Sequence, residues 1–221
     1  RARMLVGSFD LALGAIHEIV PPADGGAGSA GKSGAAGPAL ERYLHAAAET
    51  VGSIGDLGVY AEAVWTMPVL DAPQAEEAEW DALEALESTV GLEYVLPGDL
   101  DTKLEYYRRG AGATTPASYD PSQVLSGITP VMARDYLFGY LGRTFISYLE
   151  LSVAALANLN DGSVLVLQQS EYAVSDNIRV SLEGMVPTGS GSEEFGGTRE
   201  IGDTELRIVR PTIVAQLEVS F

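Results

Sequence analysis

Six stretches of this chain keep every charged residue on one side of a two-residue repeat. In 213–221, Ile213, Ala215, Leu217, Val219 and Phe221 alternate with Val214, Gln216, Glu218 and Ser220. In 178–186, Ile178, Val180, Leu182, Gly184 and Val186 alternate with Arg179, Ser181, Glu183 and Met185. The same split runs through 149–160, 57–66, 86–96 and 100–107, where Glu150, Glu62, Glu87, Glu93, Asp101, Lys103 and Glu105 oppose Leu, Val, Ala and aromatic residues. Successive side chains of a strand point to opposite faces, so this repeat predicts strands with one apolar and one charged face.

Four further segments alternate less cleanly: 9–20, with Asp10 and Glu18 on its polar side; the Ala-rich 40–51; the aromatic 134–145, with Tyr136, Phe138 and Tyr140 in step; and 164–175, with Gln169 and Glu171 in step. That makes ten strands. Residues 1–6 resemble the tail of another, turning at Gly7-Ser8. Only 71–87, rich in Ala and Glu, invites a helix. The connections alternate in length. Tight ones at 52–56, 97–99, 146–148 and 175–177 carry the Gly, Asp and Asn that hairpin turns need. Long polar ones fall at 21–38, 68–82, 110–133 and 188–204, so one end of the sheet carries nearly all the long loops.

Composition narrows the function classes. With no cysteine, a disulfide framework and a thiolate metal site are excluded. A net charge of -18 disfavours nucleic acid as a partner. At 46% hydrophobic residues the chain is no acidic disordered segment. No apolar run approaches the ~20 residues of a membrane helix.

Alternation alone fits a soluble sandwich or lipocalin-like barrel with the apolar face inward. Strands near the ~9–11 residues that cross a bilayer at a tilt, the short-turn, long-loop asymmetry, and aromatics near strand ends (Trp65, Tyr94, Tyr106, Tyr172, Phe221) favour a membrane barrel instead. The last strand, Thr212-Ile-Val-Ala-Gln-Leu-Glu-Val-Ser-Phe221, resembles the C-terminal strand of Gram-negative outer-membrane β-barrel proteins. Val90–Tyr107, 156–162 and 173–177 resemble strands and turns of porin-like members of that class. The resemblance implies an all-β, antiparallel up-and-down transmembrane barrel in the bacterial outer membrane. It also implies that Phe221 serves as an assembly signal read by the barrel-assembly machinery. Residues 1–221 are expected to form a single barrel domain: the C-terminal part of a longer chain of roughly 14 to 16 strands by porin analogy or, as the alternative, a stand-alone ten-stranded barrel.

On this reading the apolar face meets outer-membrane lipid and the charged face lines the lumen. The lumen candidates are Asp10, Glu18, Glu62, Glu87, Glu93, Asp101, Lys103, Glu105, Asp135, Arg143, Glu150, Glu171, Arg179, Glu183 and Glu218; acids outnumber bases. Carboxylates around a wet pore favour cations. Two functions are open: a porin-like passive channel with an acidic, cation-tolerant lumen, or a closed barrel that anchors other proteins of an envelope-spanning complex. A long loop folded inward, or a plug, is the feature that separates them. No catalytic residue, cofactor or metal is expected. His45 reads as part of a polar row with Glu41 and Glu49, Gly31-Lys32-Ser33 lacks the strand and helix of a phosphate loop, and Glu193 and Glu194 read as a solvated loop.

Overall fold

The computed structural model describes residues 2–20, 41–69, 83–127, 129–201, 204–207 and 209–220. Its strands are β1 (Ala2–Val6), β2 (Phe9–Val20), β3 (Glu41–Ile54), β4 (Leu57–Pro68), β5 (Leu86–Leu96), β6 (Leu100–Arg109), β7 (Asp135–Ile146), β8 (Leu149–Asn158), β9 (Val164–Ser175), β10 (Ile178–Thr188), β11 (Arg199–Ile201), β12 (Thr204–Leu206) and β13 (Thr212–Val219). Eleven of them form one antiparallel sheet in the order β1-β2-β3-β4-β5-β6-β7-β8-β9-β10-β13, while β11 and β12 make a separate ladder. All ten expected strands are present, and residues 2–6 supply the eleventh. The helix expected at 71–87 falls largely outside the described residues, but Leu86 and Glu87 open β5. A short helix, α1 (Pro121–Leu125), lies between β6 and β7.

The sheet is a simple meander because each tight turn returns the chain beside the strand it has just left. At the three-residue β5–β6 turn, Gly98 (φ 90°) and Asp99 (φ 56°) both take positive φ, which glycine and aspartate tolerate better than most residues. The sheet is open: among the described residues β1 and β13 are its two edges and do not pair with each other.

The register drifts steadily along the sheet. One row of directly opposed residues runs Leu11, Thr50, Ala61, Val90, Tyr106, Leu137, Ala157, Val164, Thr188. Leu11 is two residues from the tight-turn end of β2 at Phe9; Thr188 is ten residues from the tight-turn end of β10 at Ile178. The row therefore shifts eight residues over eight strand steps, or one per strand. With ~3.3 Å of rise per residue and ~4.8 Å between strands, that stagger corresponds to a strand tilt of about 35°.

Pairing also assigns faces. The apolar face is uncovered: Leu104, Leu141, Leu182 and Leu217 are 43–65% exposed. Hydrophobic burial is concentrated at the long-loop end, in a cluster of Tyr119, Val131, Met132, Ala133, Tyr136 and Phe195 with Tyr107, Leu156 and Leu165 against it. The strand members of that cluster all belong to the charged face.

β7 corrects the expected facing. Tyr140 lies opposite Lys103 and Phe138 opposite Glu105, so Tyr136, Phe138 and Tyr140 share the charged face. Asp135 and Arg143, expected in the lumen set, stand on the apolar face instead, opposite Arg108 and Leu151. The tyrosine explains the choice. Tyr136 has a hydroxyl that must find partners when buried, and it finds them on the charged side. Asp135 sits at the first position of β7, neutralised by Arg108 at 3.3 Å and bonded by the Tyr106 hydroxyl at 2.5 Å. Arg143 lies near the opposite end of the strand, beside the β5–β6 turn.

Candidate functional site

The charged face carries a ladder of short contacts within and between strands. On β1 and β2, Arg3 is paired with Asp10. On β4 and β6, the Tyr60 hydroxyl donates to Glu105 at 2.6 Å, Lys103 Nζ lies 3.2 Å from Glu105, and the same ammonium sits 4.8 Å over the Tyr60 ring. Glu93 faces Lys103 across β5–β6 and is itself exposed. Glu87 lies 3.8 Å from Arg109 and accepts from the Tyr107 hydroxyl. Toward the tight-turn end, Arg179 is 3.5 Å from Glu171 and stands opposite Glu218. Glu150 faces Glu171 directly. Glu62 faces Glu49, Asp101 faces Val95, and Glu183 lies between Gln169 and Val214.

These placements bring the expected residues together on one surface, apart from Asp135 and Arg143. His45 also belongs there, with different partners from those expected. Its Nε2 lies 2.9 Å from Glu18, and its Nδ1 lies 3.0 Å from the Thr66 hydroxyl. In cross-strand geometry, residues on adjacent strands are ~5 Å apart, whereas positions four apart along one strand are ~13 Å apart. That is why Glu18 and Thr66, and not Glu49, reach the ring. The side chain of Glu41 and all of Phe221 lie outside the described residues. Among the described residues, His, Asp and Glu form no group of three or more that could hold a metal ion.

Two long loops fold onto this same face. In residues 110–134, Pro121 opens α1 and Asp120 caps it, accepting from the Ser122 hydroxyl at 2.6 Å and the Ser122 N–H at 3.0 Å; the hydroxyl bond first, and then the N–H bond, lower the Asp120 pKa. Arg109 anchors the loop's other flank, donating to the Val131 carbonyl at 3.1 Å and the Gln123 amide oxygen at 3.3 Å. The second loop, 189–198, packs tightly enough that a Cβ on Gly196 would lie 2.4 Å from the Gly189 nitrogen. Only a residue without a side chain permits that approach.

Glu194 joins the loops to the sheet. It is 4% exposed. One carboxylate oxygen accepts from the Met132 N–H at 2.8 Å. The other accepts from the Tyr136 hydroxyl at 2.5 Å and from the Asn158 amide at 2.7 Å. Tyr136 in turn accepts from the Ala133 N–H at 2.6 Å. Asn158 also donates to the Tyr119 hydroxyl, which donates to Asp161. Asp161 accepts from the Glu194 N–H as well, at 2.8 Å. Burial pushes the Glu194 carboxyl above its ordinary pKa; the Asp161 charge adds to this, and the bonds from Tyr136, Met132 and Asn158 oppose it.

The solvated loop expected for Glu193 and Glu194 is thus wrong for Glu194, which is a buried clasp. A signal for it existed: Phe195 is a single large aromatic inside a Gly- and Ser-rich stretch, and such a residue has nothing to bury against unless the loop docks. The surface as a whole is a wall of charged ladders, mostly acidic, capped at one end by docked loops. No family model, curated protein or solved structure matches this chain.

Proposed function

We propose that this chain forms the wall of an outer-membrane β-barrel that acts as a porin-like passive channel with an acidic, cation-tolerant lumen narrowed by its own loops. The observation that carries the reading is the docking of loops 110–134 and 189–198 onto the charged face, the side opposite the exposed apolar surface. A loop folded inward over a charged wall narrows an opening without needing an additional plug. The apolar face would meet acyl chains, and the central residues of the interior strands pair with a neighbour on each side, the pairing that lipid demands. At a tilt of about 35°, a strand of 11 residues such as β10 covers roughly 30 Å along the barrel axis, enough for the ~25 Å apolar band of such barrels.

Parity sets what closure would need. With eleven strands in a meander, β1 and β13 run in the same direction. An all-antiparallel barrel then needs an odd number of further strands between them, which agrees with the even totals of bacterial barrels and with a larger barrel than this chain alone. The stagger of one residue per strand is the shear that such closure requires.

The second reading, a closed anchoring barrel, is favoured by one feature. The Tyr60–Glu105–Lys103 contacts fill part of the charged face with interlocked side chains rather than free carboxylates. Single-channel recording of the reconstituted full-length protein separates the two. Stepwise, cation-preferring conductance supports the channel. A silent bilayer containing inserted, folded protein would leave the anchor.

A further inference from the structure

Arg143 places a charge on the apolar face, and among the described residues no carboxylate pairs with it. The residue stands on β7 opposite Leu151. Its guanidinium lies against the tight β5–β6 turn: a Cβ built on Gly98 would sit 3.8 Å from both Nη1 and Nη2. The Phe145 ring centre is 5.0 Å from Cζ. Nε is buried without a hydrogen-bond partner. Arg108, another cation of the same face, is by contrast neutralised by Asp135 at 3.3 Å.

An arginine carries five N–H donors in a planar fork that fits phosphate through two parallel bonds. Its stem can lie along apolar surface while the head reaches the polar boundary. The position of the head, level with the tight turns and flanked by an aromatic ring, is where the headgroups would lie if the apolar face is in lipid. We infer that Arg143 binds the phosphate of a phospholipid in the leaflet on the tight-turn side, with the Phe145 ring supporting the guanidinium. The inference rests on the membrane reading above. It adds a specific lipid contact that the membrane reading does not require.

The test uses the full-length protein refolded in a zwitterionic detergent and titrated with phosphatidylglycerol, with bound lipid counted by native mass spectrometry. Wild type should bind phosphatidylglycerol at least about tenfold more tightly than a diacylglycerol lacking the phosphate, as a charge-assisted bidentate contact implies. Arg143→Gln should weaken phosphatidylglycerol by about tenfold or more, and Arg143→Lys by less, since it keeps the charge but loses the fork. Arg3→Gln, on the other face, should change nothing. Equal affinity for the phosphate-free lipid would overturn the site even if Arg143→Gln fails to fold. So would unchanged lipid binding in a folded Arg143→Gln. Displacement of the lipid by an equal concentration of inorganic phosphate would show a soluble-anion site and overturn the lipid assignment. Vesicle flotation, run in parallel, isolates the cause: wild type that fails to float overturns the membrane reading and the site together, whereas wild type that floats without lipid preference overturns the site alone.

Discussion

Removing the Tyr136 hydroxyl should release the docked loops while leaving the sheet intact. That oxygen accepts the Ala133 N–H, whose residue is fully buried, and donates to the Glu194 carboxylate. Tyr136→Phe keeps the ring and its contacts with Phe195 and Tyr107. It leaves a buried N–H without an acceptor, at ~1–3 kcal/mol, and removes a bond to a charged group worth ~1.5–3 kcal/mol. The two effects share one atom and do not add fully, so the cap should lose roughly 2–4 kcal/mol. Native-state hydrogen exchange reads this directly. The amides of Met132 and Ala133 should exchange about 30- to 1,000-fold faster, while amides in the middle of β8 and β9 stay protected. Acceleration below about threefold at Ala133 would refute the clasp; equal acceleration throughout the sheet would show that Tyr136 supports the whole fold.

Three further outcomes follow from the same geometry. Leu182→Arg should destabilise the inserted protein by ~2–4 kcal/mol if it sits near the bilayer midplane, and Glu183→Gln, its neighbour on the charged face, by far less; chemical denaturation in lipid vesicles compares them. Because burial raises the Glu194 pKa, the docked cap binds that proton more tightly than the released cap does. Cap stability should therefore fall as pH rises from the ordinary glutamate range near ~4.3 to the raised value, then level off; loop exchange corrected for intrinsic rate should show this, and Glu194→Gln should abolish it. Glu93→Gln should move the reversal potential toward anions with little change in stability, since Glu93 is exposed. Glu105→Gln should also cost stability, because Glu105 holds Tyr60 and Lys103.

Strands were legible wherever one face had to avoid charge. In β10 and β13 the split of Leu182 and Leu217 from Glu183 and Glu218 determines the facing, since a one-residue slip would move every charge to the other side. β7 was misread because period alone does not rank a charge at a strand end against an aromatic row. Asp135 and Arg143 can reach the polar boundary from either face, whereas the Tyr136 hydroxyl, at 1% exposure for the residue, cannot. The partners of His45 depended on register between strands, which neither Glu18 nor Thr66 announces from its own position. The clasp was hidden for a similar reason: Glu194 meets Met132 across 62 positions of sequence. Only the out-of-place Phe195 hinted that its loop was anchored.

In the proposed barrel one face of this sheet meets lipid and the other meets water. The chain has no cysteine, so single cysteines can be introduced one at a time along β10, from Val180 to Met185, without background labelling. Each variant, inserted in vesicles, is treated with a membrane-impermeant maleimide. In parallel it is labelled with an environment-sensitive dye and quenched by nitroxides on the lipid tails. Strict alternation is expected: positions 181, 183 and 185 react with the maleimide, while dyes at 180, 182 and 184 are quenched by lipid. Reversed alternation, or equal access to water at all six positions, would contradict it.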